Sequence, residues 1–527
     1  MAILLLASVL RFYKLADVPS GFFCDEAVQA NQAYSLSQTG RDLYGEPWPI
    51  LINCYHKFFQ EGLNEYVMAL VFRFREMDIF GARSVSALAG VLSALGAYLI
   101  VRQLWGWAPA LAAAGLVAVS PWQLPLSRVA FHGTMVCAVL TFALYFFYVG
   151  LKRPGFLVFC AAMMGLGPHT YSILKLFVPL LALALFIFYR RELLSVWQDR
   201  WGRGCIYASV FVFVLLAWPM YFLSVWGPGN LRFKEISILS QDYPGLSFWR
   251  AFQLHISPDF LFISGDSNPR HHSGFGGQIF WALLPVLIFS VFEALRRKNR
   301  EGILFSVLFF EGFIPVCMTM AEIEGIALRS ISAAPFVELV AAYGFLRLYE
   351  ILRERKIFPH PWFVGLGVLI GINAAALVGH YFTVYPTKSQ EFFQYGVGEA
   401  VEYGRTHQEE YDRIYLTHEA WEGDTLLVFF TKVNPADYQK TRSKGKFFYC
   451  TPDTAACLAQ PGKNLYILTP REAFPDRIKE YQGHKVMVLE PGDLEADHIK
   501  HLVLDARKAL SFVVCEKPKE GTTDPIL

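Results

Sequence analysis

Long stretches without a single Asp, Glu, Lys or Arg leave this chain few ways to fold. Such gaps run from Arg83 to Arg102, Val129 to Leu151, Pro154 to Leu174, Gly204 to Leu231, His271 to Phe292 and Ile357 to Thr387. Each is long enough to cross about 30 Å of hydrocarbon as a helix. Shorter or once-charged runs at 108–123, 176–189, 303–320 and 332–349 add four more. Met1–Leu10 lacks a basic leader and a cleavage site, so it reads as an incomplete first helix rather than a signal peptide. With 54% hydrophobic and 17% charged residues among 527, the composition excludes a soluble enzyme of this length. The expectation is a polytopic α-helical membrane protein of about eleven spans.

Lys and Arg collect at every second loop: Arg102, then Lys152 and Arg153, then Arg190, Arg191, Arg200 and Arg203, then Arg296 to Arg300, then Arg353, Arg355 and Lys356. Basic residues in short loops stay on the cytoplasmic side. The alternation therefore assigns loops 11–83, 124–133, 167–175, 227–275 and 321–331, and everything after about residue 384, to the outside. The net charge of +2 is spent on the opposite rim, and no basic stripe suggests nucleic acid.

From about residue 386 to 527 charge returns, with short β-rich runs at 413–417, 446–450, 464–468, 484–489 and 511–515 separated by helical patterns such as 390–403 and 471–481. Alternation of this kind predicts a small extracytoplasmic α/β domain. Residues 1–385 form the transmembrane domain, with outer loops 11–83 and 227–275 the largest.

No Walker loop, dinucleotide-binding glycine pattern, HExxH or GxSxG occurs. The polar residues of the outer loops remain. Asp25 and Glu26 offer carboxylates for a general base or oxygen ligands for a divalent cation; the plainer reading is an acid pair at the N-terminus of a helix over 27–37. Arg128 and His132 sit at a helix junction, Lys175 lies about a turn inside a span, Arg270 and His271 close the long loop 227–275, and Arg329 follows Glu322 and Glu324 in a short one. Converging cations would suit a phosphate group. Glu311 and Glu338 fall inside spans, where acids face a partner or a water cavity.

The Asp25-Glu26 loop, a juxtamembrane segment at 63–80, the span led by Arg83, Ser120-Pro121-Trp122 followed by Ser127-Arg128, and the loop carrying Gly265-Asp266-Ser267-Asn268-Pro269-Arg270 together resemble bacterial members of glycosyltransferase family 39. That family has the GT-C fold and includes the protein O-mannosyltransferases and the lipid A aminoarabinose transferases. The resemblance implies inverting transfer of a sugar from a polyprenyl-phosphate carrier to an acceptor hydroxyl at the extracytoplasmic face of the cell membrane. The acceptor would be a glycan, a lipid or a protein. Asp25 would be the base and Glu26 its orienting partner. Arg128, His132, Lys175, Arg270, His271 and Arg329 would hold the donor phosphate. No cofactor is required by these motifs, no metal ligands are assigned, and the carboxylates leave room for a divalent cation. Two other classes compete: a proton-coupled transporter using Glu311 and Glu338, and a non-catalytic glycan-assembly scaffold.

Overall fold

The structure is a computed structural model that describes residues 1–54, 58–240, 243–319, 325–450, 457, 459–470, 478–481, 484–487, 499–504 and 510–516. Glu322 and Glu324, and most of the helix expected over 471–481, lie outside the described residues. The chain divides into two compact units. One comprises Met1–Leu15, Trp48–Val71 and Phe80–Tyr385; the other comprises Ala16–Pro47, Phe72–Ile79 and Pro386–Leu527. The longest segment of the second unit begins at Pro386. That unit also takes in residues 16–47, and with them Asp25 and Glu26.

The first unit is helical. Among the described residues four helices are long and apolar enough to cross a membrane: Ile79–Trp105, His132–Gly150, Arg200–Val225 and His360–Thr383. Ala2–Phe12, Trp107–Val119 and Phe156–His169 are apolar but shorter. Leu174–Gln198 and Ala334–Glu354 have the length but carry charges. Among the described residues, length and composition alone qualify only these four, fewer than the eleven spans expected. Two runs differ from expectation. In 271–292 regular helix begins only at Leu284, because Gly274 and Gly276 adopt positive φ, a conformation costly for other residues. In 303–320 the helix Arg300–Glu311 stops at Gly312, where a Cβ would sit 2.5 Å from the Ala333 Cα.

Between apolar helices surrounded by lipid, close packing of small residues replaces the hydrophobic drive. The helix Ile79–Trp105 buries Gly81, Ala82, Ser86, Gly90, Ser93, Ala94 and Gly96. At Gly90 a Cβ would come within 2.7 Å of the Ser127 Cβ, and at Gly96 within 2.6 Å of the Thr141 Cβ. Any larger residue there would push its neighbour away.

The second unit holds a five-stranded sheet in the order 447–449, 413–416, 464–468, 510–516, 499–504. The first three strands are parallel and the last two pair antiparallel. Residues 478–481, expected to be helical, form a strand paired with 484–487. The helix Cys24–Thr39 packs on the helices Gly423–Phe430 and Pro435–Thr441. It has little apolar surface, yet Glu26, Gln29, Asn31, Gln32 and Ser35 are all buried. Burial of polar groups is tolerated only when their hydrogen bonds are met. Asn31 Nδ2 donates to the Thr425 carbonyl at 2.9 Å, Gln32 Oε1 accepts from the Leu43 amide at 2.8 Å, and Gln439 Nε2 donates to Ser35 Oγ at 3.0 Å.

Candidate active site

In the second unit the two acids have different fates. Glu26 is fully buried, and its Oε2 accepts the Phe23 amide at 3.1 Å, which closes the start of the helix Cys24–Thr39. A carboxylate at this position satisfies an otherwise orphaned donor. Asp25, in the same first turn, is only half-buried. The anchor of this turn was not legible in the sequence. The Cys24 amide donates to Gln394 Oε1 at 2.9 Å, and Gln394 Nε2 donates to the Trp421 carbonyl at 2.6 Å. Trp421 also meets Phe23 edge-on, with ring centroids 5.6 Å apart, while its indole stays 58% exposed. Glu422 follows in a left-handed conformation. Its carboxyl is pushed above the ordinary range, first by burial and then by the negative charges of Asp25 and Asp424. A second acid thus senses the charge on Asp25.

In the first unit several of the outer loops touch one another. The Trp122 indole donates to the Ala327 carbonyl at 3.0 Å, and the Ala327 amide donates to Asp266 Oδ2 at 2.7 Å. His271 lies edge-on to Phe131. A Cβ at Gly133 would sit 2.7 Å from Leu328 and 3.4 Å from Tyr171. Loops 120–133, 171, 266–271 and 327–328 therefore close on one another.

The individual cations divide by what they bind. Arg128 has no exposure and donates to the carbonyls of Leu10 (2.7 Å), Arg11 (2.8 Å), Tyr13 (2.8 Å) and Lys14 (3.2 Å). Its guanidinium also lies over Tyr381 and Phe382. The expectation that it receives a phosphate is corrected here, because this cation closes the C-terminal end of the helix Ala2–Phe12, whose last carbonyls have no partner within the helix. His132 is buried with Nε2 2.7 Å from Glu65 Oε1. Lys175 Nζ pairs with Glu61 Oε1 at 2.7 Å, so it does not simply reach for lipid headgroups. Arg270 is half-buried, with its Nε 3.2 Å from Asn268 Oδ1. His271 Nδ1 lies 3.1 Å from Asp266 Oδ2. Burial would raise the Asp266 carboxyl, but His271 and the amides of Asn268 and Ala327 outweigh it and hold the group below its usual value. Arg329 is half-buried and reaches Thr319 Oγ1 at 3.5 Å.

Sequence reasoning missed Glu61, Glu65, Asp266 and Glu422. Two acids beside a membrane span, Glu61 ending the strand Phe58–Glu61 and Glu65 in the first turn of the helix Leu63–Phe74, were the available signal for the first two. Among the described residues no three His, Cys, Asp or Glu side chains are grouped to hold a metal ion. Glu338 is buried, and its Oε1 accepts Gln123 Nε2 at 3.1 Å while Gln123 Oε1 accepts Ser93 Oγ at 2.9 Å. This intramembrane acid serves as a hydrogen-bond acceptor within the bundle.

The fold matches the ArnT of Cupriavidus metallidurans bound to undecaprenyl phosphate, with a TM-score of 0.54, 13% identity and 98% of each chain covered. The apo form of that protein matches with a TM-score of 0.54 and 13% identity over 98% of this chain and 97% of its own. The apo oligosaccharyltransferase of Archaeoglobus fulgidus gives 0.50 and 12% identity over 90% of this chain and 69% of its own. No curated protein matches the sequence. The fold is that of the GT-C membrane glycosyltransferases. Residues 63–218 match the family model of dolichyl-phosphate-mannose-protein mannosyltransferases, and the resemblance to glycosyltransferase family 39 is borne out by this segment together with the fold.

Proposed function

We propose that this chain transfers one sugar, with inversion, from a polyprenyl-phosphate carrier to an acceptor hydroxyl at the extracytoplasmic face of the cell membrane. The observation that carries the reading is the difference in burial at 25–26: Glu26 is fully buried against the helix start, while Asp25 in the same turn is half-exposed. The GT-C fold, shared with an ArnT that binds undecaprenyl phosphate, supports a lipid-linked donor. A donor arriving sideways through the outer leaflet requires no nucleotide site, which accords with the missing nucleotide motifs.

In this mechanism Asp25 takes the proton of the acceptor hydroxyl as its oxygen attacks the anomeric carbon. The bond from that carbon to the phosphate oxygen breaks, and the electron pair leaves with polyprenyl phosphate. Lys175, Arg270 and Arg329 stabilise the developing phosphate charge, with His132 and His271 as hydrogen-bonding partners. A divalent cation remains a proposal to be tested by chelation. The acceptor is a glycan, a lipid or a protein.

The test is release of free polyprenyl phosphate from a mixed pool of polyprenyl-phosphate sugars, using wild type and Asp25→Asn in lipid nanodiscs with cell-envelope acceptors. Release by wild type alone is expected, and the consumed donor identifies the sugar. Release by both proteins would remove Asp25 from the mechanism. Release by neither, with both folded, would favour a transporter or a scaffold.

A further inference from the structure

Two cavities adjoin at the end of the helical bundle where Lys and Arg collect, and their chemistry differs. A groove of about 670 Å³ is walled by Trp107, Pro109, Gly115, Phe345, Tyr349 and Gly367. It lies between the helices Trp107–Val119, Ala334–Glu354 and His360–Thr383 and is almost wholly apolar. A basin of about 530 Å³ is walled by Arg297, Asn299, Tyr343, Arg347 and Glu350. Trp105 and Leu346 belong to both walls. An apolar slot thus adjoins a polar one within the first unit.

The basin holds donors that the protein does not use. Arg347 is 6% exposed, and its Nε and Nη2 have no hydrogen-bond partner; nor has the hydroxyl of Tyr343, which is 2% exposed. Leaving such groups unmet in a buried setting is destabilising. Acids are present as well. Glu350 pairs with Arg347 Nη1, Glu293 lies 3.6 Å from Arg347 Nη2 and 3.2 Å from Arg297 Nε, and Glu354 lies 3.7 Å from Arg297 Nη2. Glu350 is 40% exposed and Arg297 39%, so Arg297 can turn towards an incoming anion while Glu350 turns away into solvent. Arg296, Lys298, Arg300, Arg353, Arg355 and Lys356 surround this end of the bundle in sequence.

The groove is widened where its wall carries glycine. A Cβ built on Gly115 or on Gly367 would meet nothing within 4 Å. In the packed helix Ile79–Trp105, by contrast, glycines are required by contact with a neighbour. The glycines of the groove instead leave a channel of the size that encloses a small-molecule ligand.

We propose that the joined cavities bind an anionic phospholipid of the bilayer, with its phosphate against Arg297, Arg347 and the Tyr343 hydroxyl and an acyl chain in the groove between Gly115 and Gly367. A zwitterionic phospholipid offers the same phosphate but brings a cationic choline to a basin walled by Arg297 and Arg347. The site is separate from the cations assigned to the donor phosphate. Arg329 precedes the helix Ala334–Glu354, whereas Arg347 lies more than three turns along it, about 20 Å away at the helical rise. Basic pockets between membrane helices bind anionic headgroups in this manner. The proposal rests on the membrane reading alone and stands or falls independently of Asp25.

The full chain is reconstituted in nanodiscs containing equal parts phosphatidylglycerol and phosphatidylcholine with a trace of polyprenyl phosphate, then transferred to detergent, and retained lipid is counted by native mass spectrometry. Wild type is expected to retain phosphatidylglycerol selectively. Gly115→Leu with Gly367→Leu, which fills the groove without a clash, is expected to abolish retention while the melting temperature holds. Arg297→Gln is expected to weaken it about fivefold, the effect of one basic residue near an anionic surface. Equal retention of the two phospholipids, selective retention of polyprenyl phosphate, or undiminished phosphatidylglycerol in the filled variant would each overturn the proposal. Should the double leucine variant fail to fold, Arg297→Gln, at a half-exposed rim position, decides the matter by the same count.

Discussion

Lys175 Nζ lies 2.7 Å from Glu61 Oε1, and both side chains are largely shielded from water, at 16% and 8% exposure. A cation balanced in this way receives a phosphate only by sharing it with, or taking it from, the carboxylate. Lys175→Ala is therefore expected to raise the donor KM about tenfold, as loss of a charge-assisted contact does, and Glu61→Gln to lower it. If both substitutions only reduce the melting temperature and leave the donor KM alone, the pair is purely structural.

Asp25 and Glu26 should respond oppositely to amide substitution. Asp25→Asn is expected to cost at least about 100-fold in turnover, the usual scale for a general base, with little change in thermal stability. Glu26→Gln weakens the bond to the Phe23 amide and is expected to cost about 1 kcal/mol of stability, typical of a helix cap. A differential melting measurement beside the turnover assay separates the two.

For Arg128 the structure predicts a folding phenotype. Four carbonyls would lose their donor in Arg128→Ala, at about 3 kcal/mol or more in a buried setting. The melting temperature should fall sharply, while the folded fraction keeps its donor KM. A raised donor KM with an unchanged melting temperature would return Arg128 to the phosphate site.

Glu422 sets a pH dependence. Its carboxyl is raised by burial and by Asp25 and Asp424, so the folded chain holds this proton more tightly than the unfolded chain does. Stability from this group is present at acidic pH and is lost as pH rises through the carboxylate range above 4.5. Glu422→Gln should therefore raise the melting temperature at neutral pH and leave it unchanged near pH 4. Asp25→Asn should flatten the same slope in part, since it removes one of the two charges. Parallel pH profiles of wild type and Glu422→Gln would show that the group does not titrate in this way.

The charge-free runs were sufficient to place helices, since apolar length is a local property that lipid rewards directly. The break at Gly312 and the late start at Leu284 were not legible in hydropathy. At the first a side chain would meet Ala333 across the bundle, and the second follows two glycines with positive φ. Reading the polar stretch around Asp25 as an outer loop found the acid pair but not its environment. Its helix is too polar to advertise burial, and its partners Gln394, Thr425 and Gln439 lie hundreds of residues away.

By itself the sequence determined that this chain is a bundle of apolar helices with basic residues on alternate loops, an acid pair near its start and a β-containing tail. Only the tertiary structure decided that Glu26 closes a helix while Asp25 stays accessible, that Arg128 holds carbonyls, that Lys175 is paired with Glu61, and that residues 16–47 cluster with the tail. Hydrophobic length is written in consecutive residues. The partner of a charged side chain is fixed by which distant segment the fold brings within about 3 Å of it, and no local pattern records that.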